Sequence, residues 1–269
     1  MSPGIHPSAV IDPGADLGSG VEVGPFAVIG AGVAIGDRSR IGAHSTIEGP
    51  TTMGPENRVY PHASIGTAPQ DLKYGGEPTA LEIGARNQFR EFCTVNRGTV
   101  GGGGVTRIGD DNLFMAGSHV GHDSQVGSHT VFANCGTLAG HVEVGDWAVI
   151  GAFSAVHQFC RVGEHAYLGG FTVVTMDALP FAISVGQKAV CMGLNRVGLK
   201  RRGFDDETLR RLEQAVRLLT RPGLNRAQAL ERLRAEGDDA AEVRALIDFV
   251  DSSTRGFIRS ARRGARGAA

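Results

Sequence analysis

Five histidines fall within the 39-residue stretch 119–157, and four of them are the candidates for chemistry: His119, His122, His141 and His157. An imidazole that titrates near neutrality makes a suitable general base, and a neighbouring carboxylate can orient it and stabilise its charged form. His122 and Asp123 form that combination. Adjacent residues of a strand point to opposite faces, so the two can touch only if a turn brings them together. Gly140, just ahead of His141, leaves a backbone N–H open to a developing oxyanion, although glycine there also suits a turn. Further along, Lys200-Arg201-Arg202-Gly203 carries guanidinium groups fitted to bidentate phosphate binding; the plainer reading is a solvated face.

The elements that must position these residues are written in a period of six. An apolar anchor recurs at Ile108, Phe114, Val120, Val126, Phe132 and Leu138 and on to Val174 without a slip, and again from Ile5 to Ile65. Such a period is the signature of a hexapeptide parallel β-helix, three short strands to a coil. Small or β-branched residues stand two before each anchor, as at Ala27, Val33 and Ser39, and face the axis with it. Glycine often follows the anchor (Gly109, Gly121, Gly127, Gly145), where it is expected to supply turn angles closed to other residues. With eighteen residues to a coil, the hexads of Val120, Leu138 and Val156 share one face and carry His122, His141 and His157. His119 is expected at the corner leading into that face. Coils lie about 4.8 Å apart, so the rings can line a groove. A flat face makes a poor pocket alone, and a second copy laid alongside would close it.

Two stretches break the phase, 67–81 and 97–107, and loops added to a regular solenoid usually carry a binding role. After Val174 the pattern turns helical. Phe204, Leu209, Leu212, Val216 and Leu219 make one stripe, ending at Pro222-Gly223. Asn225 to Gln228 reads as a capping box opening a second helix, and Val243, Leu246, Ile247 and Val250 mark a third. The expected organisation is a mainly β chain: β-helix over 1–190 and an α-helical part over 191–269. Net charge is −1, yet residues 1–195 hold 10 Lys/Arg against 17 Asp/Glu while the remainder hold 17 against 11. A basic tail on an acidic body suits an acidic partner, with a solvated helical face as the default. Cys93, Cys135, Cys160 and Cys191 show no metal spacing and read as buried thiols. No membrane span, leader or nucleic-acid partner is expected, and the chain reads as cytoplasmic.

Several runs together carry a resemblance: QDLKYGGEPT (70–79), NRGT (96–99), SHVGHD (118–123), LAGH (138–141), AVHQF (155–159), GLKRRGF (198–204) and STRGFIR (253–259). The chain resembles the acyl-ACP–UDP-N-acetylglucosamine O-acyltransferases that begin lipid A synthesis, over nearly its whole length. The resemblance implies a left-handed β-helix homotrimer. It implies transfer of an (R)-3-hydroxyacyl group from acyl carrier protein to the glucosamine 3-hydroxyl of UDP-N-acetylglucosamine, without cofactor or metal. It implies His122 as general base oriented by Asp123, and the Gly140 N–H as oxyanion donor. His119, His141, His157 and Gln158 would line the groove. Gln70, Asp71 and Lys73 would contact substrate, and Asn195, Arg201 and Arg202 would hold the nucleotide. Gly170 stands where the family limits acyl length. At eighteen residues per coil it lies about 13 Å along the axis from His122, so glycine there implies donors longer than about ten carbons. Asn96 replaces the family's usual histidine and Val197 its acidic residue.

Two other readings fit parts of the pattern. A γ-class carbonic-anhydrase-like enzyme would hold zinc on three histidines between β-helix subunits, but gives the loops and KRRGF no purpose. A non-catalytic β-helix scaffold would bind neither UDP-sugar nor acyl carrier protein.

Overall fold

The structure, a computed structural model, describes residues 4–261. Each hexad forms a strand only two to four residues long, which persists because it pairs with its equivalent one coil on. Val10–Ile11 lies parallel to Val28–Ile29, eighteen residues later. The same offset joins His119–Val120 to Thr137–Leu138, and these to Ala155–Val156. The strands gather into three sheets: face 1, nine strands from Val10–Ile11 onward; face 2, eight from Asp16–Leu17; and face 3, ten from Glu22–Val23. Together they make a left-handed parallel β-helix.

Anchors fill the interior. Ile65, Val120, Leu138, Ile150 and Leu168 are fully buried, as are Ala27 and Ser39 two places before their anchors. Phe89, Phe114 and Phe132 stack inside face 3 at 4.9 and 4.7 Å. This continuous aliphatic and aromatic burial is what holds a solenoid of two-residue strands together.

The glycines after the anchors do a different job from the one expected of them. The left-handed backbone lies three places after the anchor, and non-glycine residues usually occupy it: His44 (φ 57°), Asp123 (60°), His141 (60°), Trp147 (62°) and Phe171 (57°). Side chains stacked from coil to coil, such as His44 on His62 at 5.1 Å, help hold those corners. Gly121 and Gly151 lie outside that region. A β-carbon on Gly121 would stand 2.6 Å from the Ala139 carbonyl carbon, and one on Gly151 2.4 Å from the Leu168 oxygen. Glycine is required there by the close approach of the next coil.

Both insertions leave the solenoid between face 1 and face 2. The first separates Thr67 from Ala80, stretching the pairing offset from eighteen to thirty residues (Ser64 with Thr94). The second separates Asn96 from Val105 and gives an offset of 25 (Ala80 with Val105). Face 3 closes with an antiparallel pair, Ala182–Val185 with Val190–Leu194.

Four helices follow among the described residues: α1 (Arg196–Arg201), α2 (Asp206–Leu219), α3 (Arg226–Ala235) and α4 (Ala241–Asp251). Sequence periodicity passed over the short α1 and placed Phe204 in the next helix; α2 starts after it, capped by Asp205. The Asn225/Gln228 capping box opens α3, and Val243, Leu246, Ile247 and Val250 are the buried face of α4. Buried Asp177 pins the end of α4 to the last coils, accepting from Arg161 Nε at 3.2 Å and Ser253 Oγ at 2.8 Å. No helix among the described residues is long and apolar enough to cross a membrane.

Candidate active site

The turn joining face 1 to face 2 after Val120 brings His122 and Asp123 together. Because Asp123 takes the left-handed corner conformation, its side chain swings back to its neighbour, and Oδ2 accepts from His122 Nδ1 at 2.8 Å. That bond leaves Nε2 facing outward as a proton acceptor. Asp123 is 5% exposed and its backbone N–H donates to Thr106 Oγ1 at 2.8 Å. Both its oxygens are engaged, for Thr99 donates to Oδ1 through its N–H (2.8 Å) and to Oδ2 through its hydroxyl (2.6 Å).

One coil on, the equivalent turn carries Gly140 and His141. A β-carbon on Gly140 would lie 2.5 Å from His122 Cε1 and 2.6 Å from Nε2, so the glycine backbone packs directly on the ring. His141 meets His122 edge-on at 5.1 Å and lies flat on Phe159 of the following coil at 4.4 Å. Burial holds the His141 imidazole below its ordinary value, opposed by Asp123 and assisted by His122. It is therefore a neutral hydrogen-bonding group at physiological pH. Ligand atoms of His122, Asp123 and His141 all lie within 4.8 Å of one another. Asp123 already accepts three hydrogen bonds there, the pattern of an orienting carboxylate and a poor fit to a metal ligand.

The inserted loops converge on this same edge. A cleft of about 300 Å³ is lined by Asp71, Lys73 and Tyr74 of the first, Thr99 to Gly101 of the second, and His141 with Phe159. The loops brace each other: Arg97 donates to the Gly66 carbonyl (2.8 Å) and the Tyr74 hydroxyl (3.2 Å). Asn96 is buried and anchors the loop base, its Nδ2 donating to the Ala68 carbonyl at 2.9 Å. Gln70 is exposed beside Asp71, outside the cleft lining.

Other expected site residues stand elsewhere. His119 lies within a face 1 strand, not at a corner, and its Nδ1 meets Thr94 Oγ1 at 2.7 Å. Burial, then the charge of His122, lowers its pKa. His157 and Gln158 are exposed in the turn two coils from His122, the His157 ring at 3.1 Å from the Gln158 carbonyl. Asn195 is buried and committed, capping α1 at Gly198 N (3.2 Å) and donating to the His165 carbonyl (3.0 Å). Arg201 is exposed; Arg202 donates to the Trp147 carbonyl at 3.0 Å with its guanidinium 5.3 Å from that ring. Trp147 and His165 belong to turns between faces 2 and 3, so Arg202 occupies a different edge of the prism from His122. Gly170 is on the third edge, between faces 3 and 1, where an added β-carbon would meet only the Ala152 oxygen at 3.4 Å. The axial offset of Gly170 from His122 is not a whole number of coils, and that remainder puts it on another edge of the same chain.

Comparisons with known proteins bear on this arrangement. Residues 14–49 match the bacterial transferase hexapeptide model, and 177–258 match domain 2 of UDP-N-acetylglucosamine O-acyltransferase. The acyl-[acyl-carrier-protein]–UDP-N-acetylglucosamine O-acyltransferase of Thiobacillus denitrificans is 54% identical over 255 residues, covering 95% of this chain and 99% of that protein. The enzyme of the same description from Burkholderia lata is 52% identical over 259 residues, with 95% and 99% covered. A crystal structure of UDP-N-acetylglucosamine O-acyltransferase from Moraxella catarrhalis superposes with a TM-score of 0.92 at 40% identity, covering 95% of this chain and 99% of that one. The chain belongs to the acyl-ACP–UDP-N-acetylglucosamine O-acyltransferase family.

As a member of this acyltransferase family, the chain is an acyltransferase. Two of its site features escaped the reading of single residues. Thr99 stood in a quoted run without a role, because its contact with Asp123 spans 24 residues and an insertion. Phe159 likewise gave no signal beyond its place after Gln158, yet it floors the cleft under His141.

Proposed function

We propose that the protein transfers an (R)-3-hydroxyacyl group from acyl carrier protein to the 3-hydroxyl of UDP-N-acetylglucosamine, with His122 as general base. The carrying observation is the His122–Asp123 hydrogen bond at the edge where both inserted loops converge. The sugar hydroxyl gives its proton to His122 Nε2 as its oxygen attacks the thioester carbonyl carbon. Asp123 stabilises the imidazolium and fixes the tautomer that leaves Nε2 free. The Gly140 N–H, beside the ring, is the donor for the tetrahedral oxyanion. Collapse breaks the C–S bond, and the departing pantetheine thiolate takes the proton back from His122. The reaction is the first step of lipid A biosynthesis, and the protein is read as cytoplasmic with it.

The site needs a second copy. Arg202 and Gly170 flank face 3, on its two edges, while His122 sits between faces 1 and 2. A neighbour presenting face 3 to the His122 edge would bring its arginines to one side and Gly170 to the other. Face 3 suits burial: beside the site its outward residues are Leu113, Val131, Val149 and Tyr167, where face 2 offers Glu82, Arg107, Gln125, Glu143 and Arg161. Three such contacts would close the homotrimer that the family resemblance implies.

The test is incubation with 3-hydroxyacyl-ACP and UDP-N-acetylglucosamine, with mass spectrometry of the nucleotide. His122→Ala should lower turnover at least ~10²-fold while nucleotide binding persists. Wild-type turnover in a folded His122→Ala protein would sink the base assignment.

A further inference from the structure

The second inserted loop meets the His122–Asp123 pair in a way that proton transfer alone does not require. Thr99 is 7% exposed and spends both its N–H and its hydroxyl on the Asp123 carboxylate, at 2.8 and 2.6 Å. It opens a single 3₁₀ turn, Val100–Gly102, whose last residue lies flat on the same group. A β-carbon on Gly102 would stand 2.1 Å from Asp123 Cγ and 2.4 Å from each carboxylate oxygen. The Asp123 side chain has no exposure to solvent. No regular hexad would supply these contacts, since a plain coil has no residues above the corner.

We propose that the 97–104 loop, through Thr99 and Gly102, is the positioning element of the catalytic pair, an inference that rests on His122 being the base. The two Thr99 bonds fix the rotation of the carboxylate so that Oδ2 faces His122 Nδ1. Gly102 lets the turn sit close enough to keep water off the carboxylate, where the low local dielectric strengthens the Asp123–His122 bond. Loss of the hydroxyl leaves a buried anion short of a donor, and it relieves that shortage by turning toward solvent and away from the ring. Thr99 does not touch the reacting atoms; it acts through Asp123.

Steady-state kinetics on the full chain test this with Thr99→Val, Thr99→Ser, Asp123→Asn and the double variant. Thr99→Val should lower kcat by about 10- to 100-fold, the worth of a hydrogen bond to a buried charge, with KM for the sugar nucleotide held. Thr99→Ser, which keeps the donor, should recover most of that loss. In the Asp123→Asn background Thr99→Val should cost nothing further, because residues acting as one unit are not additive. Wild-type kcat in Thr99→Val, or full multiplication of the two losses, would overturn the proposal. If Thr99→Val does not fold, Gly102→Ala serves in its place: its β-carbon must displace the turn or the carboxylate, so kcat should fall with KM held, and normal kcat overturns the inference. His122→Ala separates the two failures: full activity in that variant overturns the base assignment and this inference with it, whereas a large loss there beside wild-type kcat in Thr99→Val overturns this inference alone.

Discussion

The backbone of Gly140 rests on the ring of His122, so that a β-carbon at Gly140 would come within 2.6 Å of Nε2, the nitrogen proposed to accept the proton. Coil stacking produces this contact: the two residues are eighteen apart and occupy the same place in successive turns.

Gly140→Ala should therefore push the imidazole off Asp123 without disturbing the solenoid. Displacing a reacting group by about 1 Å can cost on the order of 10²-fold, so kcat should fall at least about tenfold. Thermal unfolding should stay close to wild type. A kcat equal to wild type would show that the ring finds its productive position despite the methyl group.

Arg202 lies on the edge carrying Trp147, away from His122 of its own chain. In the proposed trimer, co-expressing His122→Ala with Arg202→Ala, each poorly active alone, should restore activity in mixed assemblies. With random assembly about a quarter of the sites pair an intact His122 with a neighbour's intact Arg202. No recovery in verified mixed trimers would place both residues in one chain's site.

A β-carbon on Gly170 would meet only the Ala152 oxygen, at 3.4 Å. Gly170→Met should fill the far end of the acyl groove, costing long donors on the order of 0.8 kcal/mol for each displaced methylene and sparing short ones. The measurement is kcat/KM across 3-hydroxyacyl donors of increasing length. An unchanged length profile would remove Gly170 as the ruler.

His165 is pushed down to about 4 by burial first, and then by Arg202. The unfolded chain binds a proton at its ordinary value of 6.5 while the folded chain resists until about 4. Between those two pH values the unfolded state holds more protons, so stability falls as pH drops through the window and is unaffected by this group above it. His165→Gln should flatten that part of the unfolding-temperature profile. An unaltered slope would show that His165 charges freely in the folded protein.

The sequence alone determined the solenoid, because apolar anchors every sixth residue can be buried together only if the chain coils with that period. It also marked His122 with Asp123, since their contact needs nothing but a turn, and the α3 capping box, which is local in the same way. The quoted motifs carried the family. What lay beyond the sequence were contacts set by coil-to-coil and loop-to-coil geometry. Thr99 reaches Asp123 only because an insertion folds back over the corner, and the glycines after the anchors answer to the backbone of the next coil. The expectation for Gly170 shows the limit most clearly. Counting residues fixed its height along the axis, but the angle around the axis decides which edge it occupies. The 48 residues between His122 and Gly170 are two coils and two further strands, and those two strands place the glycine on the edge between faces 3 and 1.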